Sequence, residues 1–93
     1  MEKDKLLQAL MDLGLTFLQA KSYLALTQLG EVEARRISKA SKVARQDIYR
    51  IMPTLEKLGL VEKLVATPLL YKALPLKEGF NMLLQQRANR VLR

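Results

Sequence analysis

The hydrophobic period of this sequence changes at Gly59, and that change limits the folds open to the chain. Before it, apolar residues recur every three or four positions, the spacing that gives a helix one buried face. After it, residues 60–66 and 69–74 are short runs rich in Val, Leu and Tyr. They are joined across Thr67-Pro68 and read as a β-hairpin. Pro68 pushes Thr67 towards an extended conformation and suits a loop tip, and Pro75 ends the hairpin. The alternation along the two strands does not say which face is buried. Helical spacing then resumes with Phe80, Leu83, Leu84, Ala88, Val91 and Leu92 and runs to Arg93 without a stop signal. Such an end is expected of a truncated helix, or of one completed by a partner.

Upstream of Gly59 the helices are separated by capping chemistry. Leu6, Leu7, Leu10, Met11 and Leu13 define a first helix, and Gly14 is placed to end it. Thr16 and Gln19 have the spacing of a capping box and open a second. Its core edge is expected to hold Phe17, Ala20, Leu24 and then Leu26 or Gln28, with Gly30 as the stop. Glu31-Val32-Glu33 reads as a connector one β-bridge long. A short helix follows, with Ala34, Ile37 and Ala40 inward. After the tight turn Ser41-Lys42-Val43-Ala44, a fourth helix buries Ile48, Ile51, Met52, Leu55 and Leu58.

Two helices joined by a tight turn and followed by a β-hairpin make a winged helix-turn-helix, so the expected fold is mainly α with a β-hairpin wing. The division expected is a winged helix-turn-helix domain over residues 1–78, its recognition helix at about 45–58 and its wing at about 60–74. A C-terminal helix over 79–93 is expected to dimerise.

The charge follows the same division. The chain has 93 residues and a net charge of +7, from 16 Lys and Arg against 9 Asp and Glu. Residues 1–33 carry three bases against five acids; residues 34–72 carry nine against three. A small domain polarised in this way has one face suited to a polyanion, most often nucleic acid. Other chemistries are excluded by composition. With no Cys or His there is no disulfide, thiolate metal site or imidazole base, and no phosphate-cradling Gly-rich loop is present. The expectation is therefore no catalytic residue, no metal and no cofactor. Aromatics at 5%, without Trp, argue against a stacking platform for single strands. No apolar run approaches the length of a membrane span and the first residues lack a signal-peptide form, so a cytoplasmic location is expected.

At about 100° per residue from Ile48, Gln46, Lys57 and Arg50 fall at roughly 160–200° and Tyr49 at roughly 100°, away from the core. Arg45 falls nearer the core but lies in the first turn, where a long side chain swings outward. Arg45, Gln46, Tyr49 and Arg50 are the residue types that read guanine, adenine and phosphate. Tyr49 also fits a position packed under the wing. Arg35, Arg36 and Lys39 fit phosphate contact and a solvated face equally, as do Lys63 and Lys72, placed opposite each other on the hairpin. The tip Ala66-Thr67-Pro68 carries no base, which argues against deep insertion of a tip Arg into the minor groove.

The motifs Leu15-Thr16, Ala-x-x-Tyr-x-Ala-Leu over 20–26, Arg-x-x-x-Tyr-Arg over 45–50 and Leu-Glu-x-x-Gly-Leu-Val-Glu-Lys over 55–63 resemble the winged-helix domain of the TrmB-like transcriptional regulators. The likeness covers roughly residues 13–84. It implies a dimeric DNA-binding repressor or activator. Longer members carry a C-terminal effector domain, often sugar-binding, which these residues do not contain. Three positions depart from the pattern. Lys42 stands where Gly is common and would cost about 1 kcal/mol in a left-handed conformation. Ala44 cannot cap the fourth helix, which leaves Asp47 to interact with the helix start. Pro53 inside that helix removes the bond to the Tyr49 carbonyl and is expected to bend it.

Together these readings expect a sequence-specific regulator that binds double-stranded DNA as a homodimer, with the recognition helix in the major groove and the wing on the backbone. Dimerisation is assigned to Leu7, Leu10 and Met11 of the first helix and Phe80, Leu84 and Val91 of the last, because a core this small cannot easily bury both stripes. The alternative is a winged helix used for protein docking within a transcription assembly. The basic face of Arg45, Arg50 and Lys57 favours DNA. Glu31 and Glu33, two apart on an extended connector, have no acid–base partner for catalysis.

Overall fold

The computed structural model describes the backbone of residues 2–92 and the side chains of 2–89. Its elements are α1 (Glu2–Asp12), α2 (Phe17–Thr27), α3 (Ala34–Ser41), α4 (Arg45–Lys57), β1 (Val61–Leu64), β2 (Leu70–Ala73) and α5 (Leu76–Leu92). The boundary drawn at residue 78 falls inside α5, whose early turns belong to the core: Leu76, Phe80 and Met82 pack on it and Leu83 is buried.

The glycines end helices by a shared device. At α1, Leu15 N–H donates to the Leu10 carbonyl and Gly14 N–H to that of Met11, with Gly14 at φ +113°. At α4, Leu60 N–H donates to Leu55 and Gly59 N–H to Glu56, with Gly59 at φ +80°. Both are Schellman caps, and in each the hydrophobic pair that clasps the turn is buried. The α2 start forms the capping box, with Gln19 N–H on Thr16 Oγ1 at 3.1 Å and Thr16 N–H on Gln19 Oε1 at 2.9 Å. Lys42 takes the left-handed conformation, φ 61°, and its N–H closes α3 on the Ser38 carbonyl at 2.8 Å. The turn is held further by Ser38 Oγ donating to the Val43 carbonyl and by Ser41 Oγ accepting from Val43 N–H. Two serines thus support a position that a glycine would take without strain.

The core is built from Leu10, Tyr23, Leu26, Ile37, Ile48, Met52, Leu55 and Leu60, all essentially inaccessible to water. Two expected inward positions, Phe17 and Ala40, are not inward, and the choice left open between Leu26 and Gln28 falls to Leu26. Phe17 is 50% exposed, and its ring carries the Lys21 ammonium at 5.2 Å. Gln28 is exposed, and Leu26 is the buried one of that pair. In α3 the inward residue of the last turn is Ser41, not Ala40. Ser41 tolerates burial because its hydroxyl donates to the Ile37 carbonyl at 2.6 Å. Pro53 is exposed, and α4 runs through it as one continuous helix.

The hairpin pairs antiparallel, Val61 with Ala73, Glu62 with Lys72, Lys63 with Tyr71 and Leu64 with Leu70. Val61 and Tyr71 are its buried residues, which settles the face that alternation left open. Val32 forms the expected bridge, to Tyr71, through a reciprocal pair of backbone bonds of 3.0 and 2.8 Å.

Candidate nucleic-acid interface

The outward side of α4 follows from what its other side buries. Ile48, Met52 and Leu55 are fully covered, and the remaining circumference leaves Arg45, Gln46, Tyr49, Arg50 and Lys57 exposed. Tyr49, at 54% exposure, is not buried under the wing. It borders a cleft of about 360 Å³ with Arg45, the Arg35 of α3 and the wing residues Pro68, Leu69 and Tyr71. The turn and the hairpin therefore bring Arg35, Arg45 and Tyr49 together, from two helices, beside the wing. Glu33 lies on the same cleft, so its charge is not uniformly positive. Arg36 and Lys39 are exposed on α3 and do not border this cleft.

Asp47 behaves differently from expectation. It sits in the first turn of α4, where the helix dipole favours an acid, and Ala44 makes no side-chain cap. Its carboxylate bonds forward to the Arg50 guanidinium rather than back to the helix start.

The wing lysines are not opposite each other. Lys72 faces Glu62 and Lys63 faces Tyr71 across the ladder, so the two lysines project from opposite faces of the hairpin. Both are exposed. The tip is apolar, with Val65 at 90% exposure.

Of the residues assigned to pairing between copies, Leu10 is removed: it is fully buried by its own chain and has no surface to offer. Leu7, Met11 and Phe80 are partly buried against the core, and Leu84 is 52% exposed. The Val91 side chain lies outside the described residues. α5 is held in place by polar contacts that spacing could not show. Gln86 Nε2 donates to the Leu58 carbonyl at 2.7 Å and Arg87 Nη1 to the Asp12 carbonyl at 3.1 Å. Both bonds satisfy carbonyls at helix C-terminal ends, and Arg87 adds a cation where the dipole favours one. Among the described residues no cluster of His, Cys, Asp or Glu could hold a metal, and no helix is long and apolar enough to cross a membrane.

Two helices joined through Lys42, the second with a basic outward face, and a wing bridged back to the connector before them define a winged helix-turn-helix domain. Solved regulators share this architecture. TrmBL2, described as an archaeal chromatin protein with a novel mode of DNA binding, matches with a TM-score of 0.87 at 23% identity, over 98% of this chain and 35% of its own. The oxidised form of MarR from E. coli matches with a TM-score of 0.64 at 24% identity, over 98% and 72%. NadR in complex with 4-hydroxyphenylacetate matches with 0.65 at 19% identity, over 95% and 68%. These likenesses establish the fold. The family described as sugar-specific transcriptional regulator TrmB matches residues 10–77, and the chain belongs to that family of regulators, which are not enzymes. A curated relative, the HTH-type sugar sensing transcriptional regulator TrmBL1 of Pyrococcus furiosus, is 34% identical over 71 residues. Those residues are 76% of this chain and 21% of the relative, so the chain spans about a fifth of that protein's length.

Proposed function

We propose that this chain is the duplex-DNA-binding part of a transcriptional regulator that acts as a dimer, with α4 in the major groove and the wing on the backbone. The observation that carries the reading is the two-sided character of α4: Ile48, Met52 and Leu55 are fully buried while Arg45, Gln46, Tyr49 and Arg50 stand in solvent. A helix of this width enters the major groove, and these side-chain types match the donors and acceptors of base edges and phosphates. Arg35, Arg36 and Lys39 on α3, Lys57 on α4 and Lys63 and Lys72 on the wing supply sequence-independent phosphate contacts. The dimer brings together α5 and α1 of two copies through Leu84 and the exposed edges of Leu7, Met11 and Phe80.

A binding titration on random duplex over a range of salt tests this. Five or more phosphate contacts per copy give a plot of log K against log salt with a slope of roughly −4 or steeper. A slope near zero, or no binding at low salt, overturns the DNA reading in favour of protein docking.

A further inference from the structure

An acid stands in the basic start of α4. Asp47 follows Arg45 and Gln46, and its Oδ1 accepts from Nη2 of Arg50, one turn further on. An acid at this third helical position is placed to bond back to the helix start as half of a capping box. Ala44 offers no side-chain oxygen to complete one, and the carboxylate turns forward instead. The Asp47 side chain is 21% exposed and that of Arg50 78%. The acid lies low on the helix flank, and the guanidinium reaches past it into solvent.

That arrangement changes what Arg50 does beside a polyanion. An exposed Lys or Arg without a partner clamps phosphate whatever the sequence, and each such contact adds to the salt dependence. The charge of Arg50 is balanced by Asp47. Moving it to a phosphate would leave a carboxylate beside the DNA backbone, with like charges facing one another. A guanidinium has five N–H donors, and the bond to Asp47 uses one of them. The edge of a guanine takes two more in one plane without separating the ion pair.

We propose that Asp47 is a positioning residue: it withholds Arg50 from phosphates and holds it as a reader of a base edge, so that Asp47 sets sequence discrimination without touching a base. This rests on the reading of α4 as a duplex-DNA recognition helix.

The test uses two probes, a duplex enriched by the wild-type chain from a random pool and a random-sequence duplex of equal length. Asp47→Asn preserves size and removes the charge. For this variant the random duplex is expected to bind several-fold tighter, with its salt slope steeper by about one. The enriched-to-random affinity ratio is expected to fall by on the order of tenfold. In an Arg50→Ala background, Asp47→Asn should leave the ratio unchanged. An unaltered ratio, an equal fall in both backgrounds, or an effect confined to the melting temperature overturns the inference and leaves Asp47 as a stabiliser of the helix start. Binding without any enriched sequence also overturns it, with duplex binding intact. The absence of all duplex binding by the wild-type chain removes the reading of α4 itself.

Discussion

A Cβ built on Gly79 would lie 2.0 Å from the hydroxyl oxygen of Tyr23. The phenol of α2 thus occupies the space that a side chain on α5 would need. From there the hydroxyl donates to the Leu74 carbonyl at 2.6 Å, at the junction between wing and α5. One buried tyrosine therefore ties the second helix, the end of the wing and the last helix together, and a helical glycine makes room for it.

Gly79→Ala is expected to destabilise the fold even though alanine favours helix by about 1 kcal/mol. The new methyl also meets the ring carbon Cζ at 2.9 Å, and Tyr23 has no solvent to move into. Overpacking of this kind costs roughly 1–3 kcal/mol, which outweighs the propensity gain at the upper end and should appear as a lower urea midpoint. Tyr23→Phe should cost on the order of 1 kcal/mol, because it leaves the Leu74 carbonyl without its donor. A double-mutant cycle should show the pair to be non-additive, since the hydroxyl is the atom in the way.

Alkaline pH provides a second check on the same group. Burial, with a smaller contribution from the Glu78 carboxylate, pushes the Tyr23 phenol up to about 12 from 10.0. The unfolded chain ionises first, so the contribution of neutral Tyr23 is complete below about pH 10 and is lost as pH rises towards 12. Tyr71 is also shifted upward, chiefly by burial, and acts in the same direction. Denaturation midpoints measured between pH 9 and 12 should therefore fall less steeply in Tyr23→Phe than in the wild type. Equal slopes would show that Tyr23 is not the titrating group.

Specificity and affinity should separate between α4 and the wing. Arg50→Ala is expected to cost roughly 1–3 kcal/mol on the enriched site and to flatten discrimination. Lys63→Ala should weaken all duplexes about equally and reduce the magnitude of the salt slope by about one. Competition titrations with enriched and random duplexes measure both. Identical behaviour of the two variants would contradict the groove assignment.

Leu84→Glu should yield a folded monomer with much weaker site binding. Leu84 is half exposed on α5 and takes no part in the buried core, so a charge there disturbs pairing rather than folding. Sedimentation should show a dimer for the wild type and a monomer for the variant, with unchanged circular dichroism. Two-fold pairing sets recognition helices about 34 Å apart, and the enriched site should be a pseudo-palindrome. A wild-type monomer at high micromolar concentration would sink the dimer.

What the chain order decided by itself were features governed by neighbours within a few residues. Helical spacing placed the buried faces of α1 and α4, glycines marked the caps at Gly14 and Gly59, and Thr16 with Gln19 marked the start of α2. The exposure of Gln46 and Arg50 followed from that spacing, because a helix with one buried stripe has no choice about its other side. Arg45, which the spacing puts nearer the core, and Tyr49, which also fitted under the wing, are exposed in the structure.

The tertiary structure decided what depends on partners far along the chain. Strand register and facing are set by pairing with a second strand across the turn, beyond the reach of local spacing, and a one-residue slip inverts every side chain. That is why Lys63 and Lys72 lie on opposite faces rather than across from each other. The burial of Tyr23 depends on a carbonyl fifty-one residues away and on a missing Cβ at residue 79, neither of which marks α2. Leu10 and Leu84 are both leucines on apolar stripes of terminal helices, yet one is sealed in the core and the other stands in solvent. Periodicity identifies the stripe, and only the packing of the other helices against it determines how much of that stripe is covered.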